Sequence, residues 1–335
     1  LDEDKRRSIF KTTGTAFLTS WVGLGPRYRT ASKLEGLRQI FGNIEPGLPD
    51  MPFDKLGGLG RRLPDLVFTS FDYDRLRATY LRSYLNSGAS SNPGVSSHNS
   101  PTFAEAIHAS TNAPVNYFDQ PALFGGDAAG DRRYWDGGIS GLNNPCLAAV
   151  TEALANGSDP GALKVISLGT ATVLLPLASG AVEPPLAVRR CNAGLLGDIR
   201  KLAKAVVDDP PDAASYISYR ILHGGGKPAG VPRFVRLSPL IQPKRVGTDG
   251  WDYPDAFRGG FPEADDEMTA FERLVELDMD AIAPNDVDLI WQLAKEWTSG
   301  NMANQPVQVA DDVRSAIVGH DSFLDAKAAA LAIVG

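Results

Sequence analysis

One short segment carries the residues best suited to chemistry: Tyr134-Trp-Asp-Gly-Gly-Ile-Ser-Gly-Leu-Asn-Asn-Pro145. A strand leads up to Trp135 and delivers the carboxylate of Asp136, and Gly137 and Gly138 follow at once. Glycine has no Cβ, so the chain can turn sharply there and another backbone or a substrate can come close. Asp136 is therefore expected at the end of a strand, where open α/β sheets place their sites. Asn143-Asn144-Pro145 then restarts the chain as a helix, with Asn144 as N-cap and Pro145 at the first helical position. Taken alone, Asp136-Gly137 is a common turn signal and needs no chemistry.

The elements that must position this segment are legible from pattern. Residues 2–12 read as a helix. Leu34, Leu37 and Phe41 recur at spacings of three and four, predicting a second helix that Gly42 suits as an end. A Pro- and Gly-rich loop is expected from Gly42 to Leu63, then strands over Leu66–Phe71 and Ala78–Leu85 joined by Asp72-Tyr-Asp74. Asn86 to Ser100 is rich in Ser, Gly and Asn and reads as a surface loop. Thr102-Phe-Ala-Glu105 matches a capping box, so a short helix should follow through Ile107. Beyond Pro145 come a helix lasting to Gly157, a strand at Lys164–Leu168, another at Phe234–Leu237, and helices from about 192, 212, 265, 286, 308 and 323. No linker divides the chain, which reads as one domain over 1–335 with a helical region from about 190. Strands alternating with helices predict an α/β fold with a mainly parallel sheet.

Several motifs in order make the sequence resemble the patatin-like phospholipase family. In that family Asp-Gly-Gly followed by Asn-Asn-Pro carries the aspartate of a Ser–Asp dyad, which Asp136-Gly137-Gly138 and Asn143-Asn144-Pro145 match. Ala106 to Pro114 is similar to the family's helix-to-loop segment ending in Ala-Pro. Ser167-Leu-Gly-Thr170 is similar to the family's Ser-Leu-Gly-Thr-Gly, with Ala171 replacing the last glycine. The likeness covers residues 1–170 and fades beyond. It implies a three-layer α/β/α sandwich and metal-free, cofactor-free hydrolysis of lipid carboxylic esters, with Asp136 as base. Gly137, Gly138, Ser110 and Thr111 would line the substrate site if that register holds; as helix-end residues, Ser110 and Thr111 need no function.

The family's nucleophile is a serine in Gly-x-Ser-x-Gly, and no such motif occurs in this chain. The charged opening Leu1-Asp-Glu-Asp-Lys-Arg-Arg reads as internal to a longer protein, so the serine and its oxyanion loop are expected upstream of Leu1. The alternatives are a non-catalytic patatin-like protein that binds lipid or a partner, and a bacterial phospholipase effector that works only when activated. Other histidine-free schemes would use a lysine base or a metal, and the sequence holds no motif for either. His223-Gly-Gly-Gly226 resembles the oxyanion loop of another esterase class, but no elbow follows, and a flexible loop is the plainer reading. Ser140 sits in the turn, and Cys146 reads as a buried structural thiol.

Composition excludes other classes. With 43% hydrophobic residues the chain is too apolar for disorder, and a net charge of −7 argues against a general nucleic-acid binder. Cys146 and Cys191 make no disulfide framework, and His98, His108, His223 and His320 show no ligand spacing. No apolar run reaches the roughly 18 residues of a membrane span. A cytoplasmic chain is expected, with secretion left open and transient contact with a lipid surface. Val173-Leu-Leu-Pro-Leu177, with Ala181 to Leu186 beyond, would be an acyl-chain wall or an ordinary packed loop.

Overall fold

The hairpin read between Leu66 and Leu85 forms in the computed structural model as β1 (Val67–Asp72) and β2 (Arg77–Arg82), paired antiparallel. Its reversal is built by Asp72, whose Oδ1 accepts the backbone N–H groups of Asp74 and Arg75 at 3.1 and 3.0 Å. This is the aspartate side-chain turn that short polar residues favour. The structure describes residues 3–13, 26–59, 64–84, 100–114, 117–127, 130–177, 186–188, 194, 211–224, 232–247, 250–261, 268–277, 279–307 and 318–335. These belong to a mixed α/β chain of two compact units, Leu1–Pro145 and Cys146–Gly335.

In the first unit, α1 (Glu3–Ile9) and α2 (Thr30–Ile44) precede a 3-10 turn at Phe53–Leu59 and the hairpin. Helix α3 (Phe103–Ser110), β3 (Ala122–Asp127) and β4 (Gly130–Asp136) complete it. The sheet runs β2-β1-β4-β3 with every neighbour antiparallel. Gly42 does not end α2, which continues to Ile44. The capping box at Thr102 and Glu105 forms as read, and α3 lays Ala104, Ala106 and Ala109 inward. Small side chains let the helix sit close to the strands. Around them Phe53, Leu56, Leu81, Ala122, Phe124 and Tyr134 make the core, with Phe53 stacked on Phe68 at 4.9 Å.

In the second unit, α4 is Cys146–Ala155 and α5 covers residues 211–223. Strands β5 (Val165–Leu168) and β7 (Phe234–Leu237) pair parallel, as do β6 (Thr172–Val173) and β8 (Leu240–Ile241). β9 (Lys244–Val246) and β10 (Gly250–Asp252) form an antiparallel pair. Helices α6 (Ala270–Glu276), α7 (Pro284–Thr298) and α8 (Phe323–Val334) follow. α6 starts later than its expected start near 265, at the capping box of Thr269 with Glu272. Bidentate pairing of Arg273 with Asp286, at 2.7 Å on both arms, joins it to α7. The expected helices from about 192 and 308, the Asn86 loop, Cys191 and His98 lie wholly or almost wholly outside the described residues.

Ala171, between β5 and β6, has a φ of +140°, a region that L side chains enter only under strain of about 1–3 kcal/mol. Ala171→Gly should therefore raise stability by roughly 1 kcal/mol. Chemical denaturation of the two proteins side by side checks this, with a higher midpoint expected for the glycine variant.

Candidate active site

Asp136 is the last residue of β4, and its register opposite Ser70 on β1 ties it to the sheet. Its N–H, however, donates to the carbonyl of Asn112 at 2.9 Å. The end of the strand is thus fastened to the residue that follows α3 and its C-cap Thr111. Asp136 Oδ1 then accepts the N–H of Gly138 at 2.7 Å, capping a 3-10 turn over Gly137–Ser140. Gly141, with φ +72°, closes that turn by donating its N–H back to Gly138 O at 2.9 Å.

The two glycines are required by close approach. A Cβ on Gly137 would lie 2.6 Å from Thr69 Oγ1 and 2.9 Å from the Thr69 carbonyl carbon. A Cβ on Gly138 would collide with Asn143 Oδ1 and stand 3.3 Å from Asp136 Oδ1. The Gly138 N–H is engaged by the aspartate itself. Ser110 Oγ donates to Thr69 O at 2.7 Å and Thr111 Oγ1 to Ile107 O at 2.8 Å. Both flank the Asn112 junction, but each hydroxyl proton already serves the backbone.

The electrostatics are those of a carboxylate partly removed from water. Burial pushes the Asp136 carboxyl above its usual range, partly offset by the Gly138 N–H and by the charge of Lys33. Lys33, on the inner face of α2, is only 3% exposed. Its Nζ donates to His108 O at 3.3 Å and lies 4.4 Å from the centre of the Phe118 ring. Burial brings its pKa down to about 7, against the pull of Asp136. His108 is also buried, and burial, then the charges of Lys33 and Arg38, push it down to about 3. It is a neutral imidazole at physiological pH.

Lys33, His108 and Asn112 were not singled out in the sequence, although a signal exists. Lys33 stands four residues before Leu37 and eight before Phe41, so the same periodicity that predicts α2 puts a cation on its apolar stripe. Ser70 stands opposite Asp136 in the sheet. It has no exposed surface and donates to Trp135 O at 2.9 Å, a structural role.

Ser140 ends the 3-10 turn, and the sequence candidates from Cys146 onward lie in the second unit. Cys146 is buried, its thiol pKa pushed up by burial, with Sγ 3.5 Å from Ser218 Oγ. His223 accepts the Arg233 N–H at Nε2 (3.1 Å), which makes Nδ1 the donor to Tyr219 O at 3.0 Å. That histidine is committed to local structure; Gly225 and Gly226 lie outside the described residues. Ser167 Oγ accepts from Arg236 Nη1 at 2.9 Å, where Gly169 gives the guanidinium room. Val173, Leu174 and Leu177 are exposed. Among the described residues no helix is long and apolar enough to cross a membrane. No family model matches the chain, and no curated protein matches it.

Gly137→Ala should cost about 1–3 kcal/mol, the usual penalty of overpacking, because Thr69 contributes backbone as well as side chain to the clash. Thermal unfolding should show the loss. Adding Thr69→Ser, which removes only the methyl group, should recover little of it.

Proposed function

We propose that this chain is the aspartate-bearing part of a patatin-like lipid acyl hydrolase, with a three-layer α/β/α architecture in the complete protein. Asp136 acts as general base, and the nucleophile is a serine upstream of Leu1. The single observation that carries the reading is the setting of Asp136. It is a half-buried carboxyl at a strand end, anchored at its N–H by Asn112 and at Oδ1 by Gly138. Ala171 adds support, since its positive φ falls where the resembling family has glycine.

The arrangement suits proton transfer. Oδ1 is held by the Gly138 N–H, so Oδ2 is the oxygen for the serine proton. As the serine Oγ–carbonyl carbon bond forms, the hydroxyl proton moves to Oδ2. As the ester C–O bond breaks, the departing alcohol takes that proton. Water then repeats the sequence on the acyl-enzyme, releasing the fatty acid and the free serine. An ordinary carboxylate, with a pKa near 3.9, is a weak base at neutral pH. Desolvation makes Asp136 a better match. The substrates would be phospholipids, galactolipids or neutral acylglycerols met at a lipid surface.

A second reading has one observation in its favour: the Asp136–Gly138 hydrogen bond is also what an aspartate that merely caps a turn would make. The protein would then be a non-catalytic relative that binds lipid or a partner.

Asp136→Asn separates the two. Asparagine keeps Oδ1 and the cap but cannot take the proton. In the complete protein kcat for ester hydrolysis should fall by about 10²–10⁴-fold. Stability should not fall. Because the folded pKa is raised, the folded carboxyl holds its proton better than the unfolded one. Ionisation therefore costs stability above that pKa, and asparagine carries no such cost. Lys33, on which the Asp136 charge acts, has its pKa brought down to about 7 and sheds its proton in the variant, so the melting temperature at pH 7 should change little. In the unsubstituted protein kcat/KM should fall as pH drops through the raised pKa. A folded variant that keeps more than about a tenth of its kcat would remove Asp136 from the mechanism.

A further inference from the structure

We propose that Lys33 is a positioning residue of the Asp136 site, a buried amine whose charge controls the protonation of that carboxylate. The inference deepens the reading of Asp136 as base and rests on it for its functional meaning, though not for its physical test.

The geometry that places Lys33 is a relay of hydrogen bonds. At the start of α2 the Thr30 N–H donates to Asp119 Oδ1 at 2.9 Å, and Thr30 Oγ1 donates to Gln120 O at 2.6 Å. The same Gln120 carbonyl accepts Asn112 Nδ2 at 2.8 Å. Asn112 O in turn accepts the Asp136 N–H at 2.9 Å. Lys33 stands one turn beyond Thr30, on the helix whose start these bonds tie to the end of β4. Its Nζ also grips His108 O, four residues before Asn112.

Packing alone gives no reason for an amine here. A buried ammonium with one carbonyl partner and a ring face costs more than an apolar side chain of the same length. An opposite charge would offset the cost, and the hydrogen bonds through Gln120 and Asn112 tie the start of α2 to the residue that carries one, Asp136; the direction in which each group acts on the other agrees. Other ionisable groups sit on the elements packed against α2. From α3, His108 is neutral at physiological pH, and Glu105 lies toward Arg38 of α2 at 3.9 Å. From the 112–120 segment, Asp119 is bound to the Thr30 N–H. α1 packs on α2 where Gly36 meets Ser8 and carries Glu3, Asp4, Lys5, Arg6 and Arg7.

The consequence has a definite sign. At acidic pH, where a carboxyl titrates, Lys33 is protonated and keeps Asp136 ionised to lower pH than burial alone would allow. Removing the charge should raise the Asp136 pKa and move the acid limb of the rate profile to higher pH. A shift of about 0.5–1 unit corresponds to a loss of roughly 3–10-fold in kcat/KM on that limb, with little change on the alkaline plateau.

The test uses the full-length protein labelled with carbon-13 at aspartate carboxyls, with Asp136→Asn identifying the resonance. The Asp136 midpoint is followed by NMR in the unsubstituted protein, in Lys33→Met and in Lys33→Arg, beside kcat/KM against pH on a p-nitrophenyl ester. The midpoint and the acid limb should both rise in Lys33→Met and both return toward the original position in Lys33→Arg. A midpoint that rises in a protein hydrolysing no ester at any pH would keep the Lys33–Asp136 pair and sink the role of Asp136 as base. An unmoved midpoint in folded Lys33→Met would overturn the pair. Should Lys33→Met fail to fold, Asp136→Asn decides by reciprocity. The Lys33 Nζ titration must then move down by a similar amount, and an unmoved Nζ overturns the proposal.

Discussion

Everything at the Asp136 turn depends on how closely Gly137 approaches Thr69. With no Cβ in the way, the backbone passes within contact of β1, and β4 ends in register with Ser70 rather than peeling away. That approach lets the Asp136 N–H reach Asn112 and the Asp136 carboxyl fold back on Gly138. It also removes part of the carboxyl from water, the cause of its raised pKa. A single missing methyl group thus links the sheet, the α3 junction and the acid–base character of one side chain.

The two units handle buried positive charge differently. Arg236, at 7% exposure, spreads its guanidinium over Ser167 Oγ and Gln305 Oε1, and Gln305 Nε2 passes the interaction to Asp212 at 2.6 Å. Its two Nη arms meet neutral acceptors, while the buried Nε has no partner among the described residues. Lys33 has one carbonyl, one ring and the field of Asp136. An ammonium is a compact point charge whose pKa yields readily to burial, and burial brings Lys33 down to about 7; burial lowers Arg236 as well.

How much of this was legible in the sequence depends on the range of the interaction involved. Local chemistry is legible. The capping box at Thr102, the hairpin around Asp72-Tyr-Asp74 and the strand at Phe234–Leu237 form where their residues indicate. β3 is not signalled by its residues, because Leu123-Phe-Gly-Gly-Asp127 carries two glycines and an aspartate, which are depleted in strands. Only pairing with β4 makes it a strand. Strand direction was not legible either. Alternation of strands and helices suggests a mainly parallel sheet; the first unit's sheet is antiparallel and parallel pairs occur in the second. At the site, Asp136, Gly137 and Gly138 announce themselves by adjacency. Asn112 lies 24 residues away in sequence, and only folding brings its carbonyl to the Asp136 N–H; Lys33, about 100 residues away, is buried against His108 O and Phe118. The apolar periodicity of α2 held the clue to Lys33, but a lysine on such a stripe is read by default as reaching for solvent.

The central claim is that Asp136 activates a serine hydroxyl for attack on an acyl carbonyl. The most direct measurement is the rate at which a fluorophosphonate probe labels the full-length protein, with the modified residue found by mass spectrometry. The account predicts one stoichiometric adduct, on a serine preceding Leu1, formed far more slowly in Asp136→Asn. An adduct on a serine between Leu1 and Gly335, or equal labelling rates in the two proteins, would contradict it.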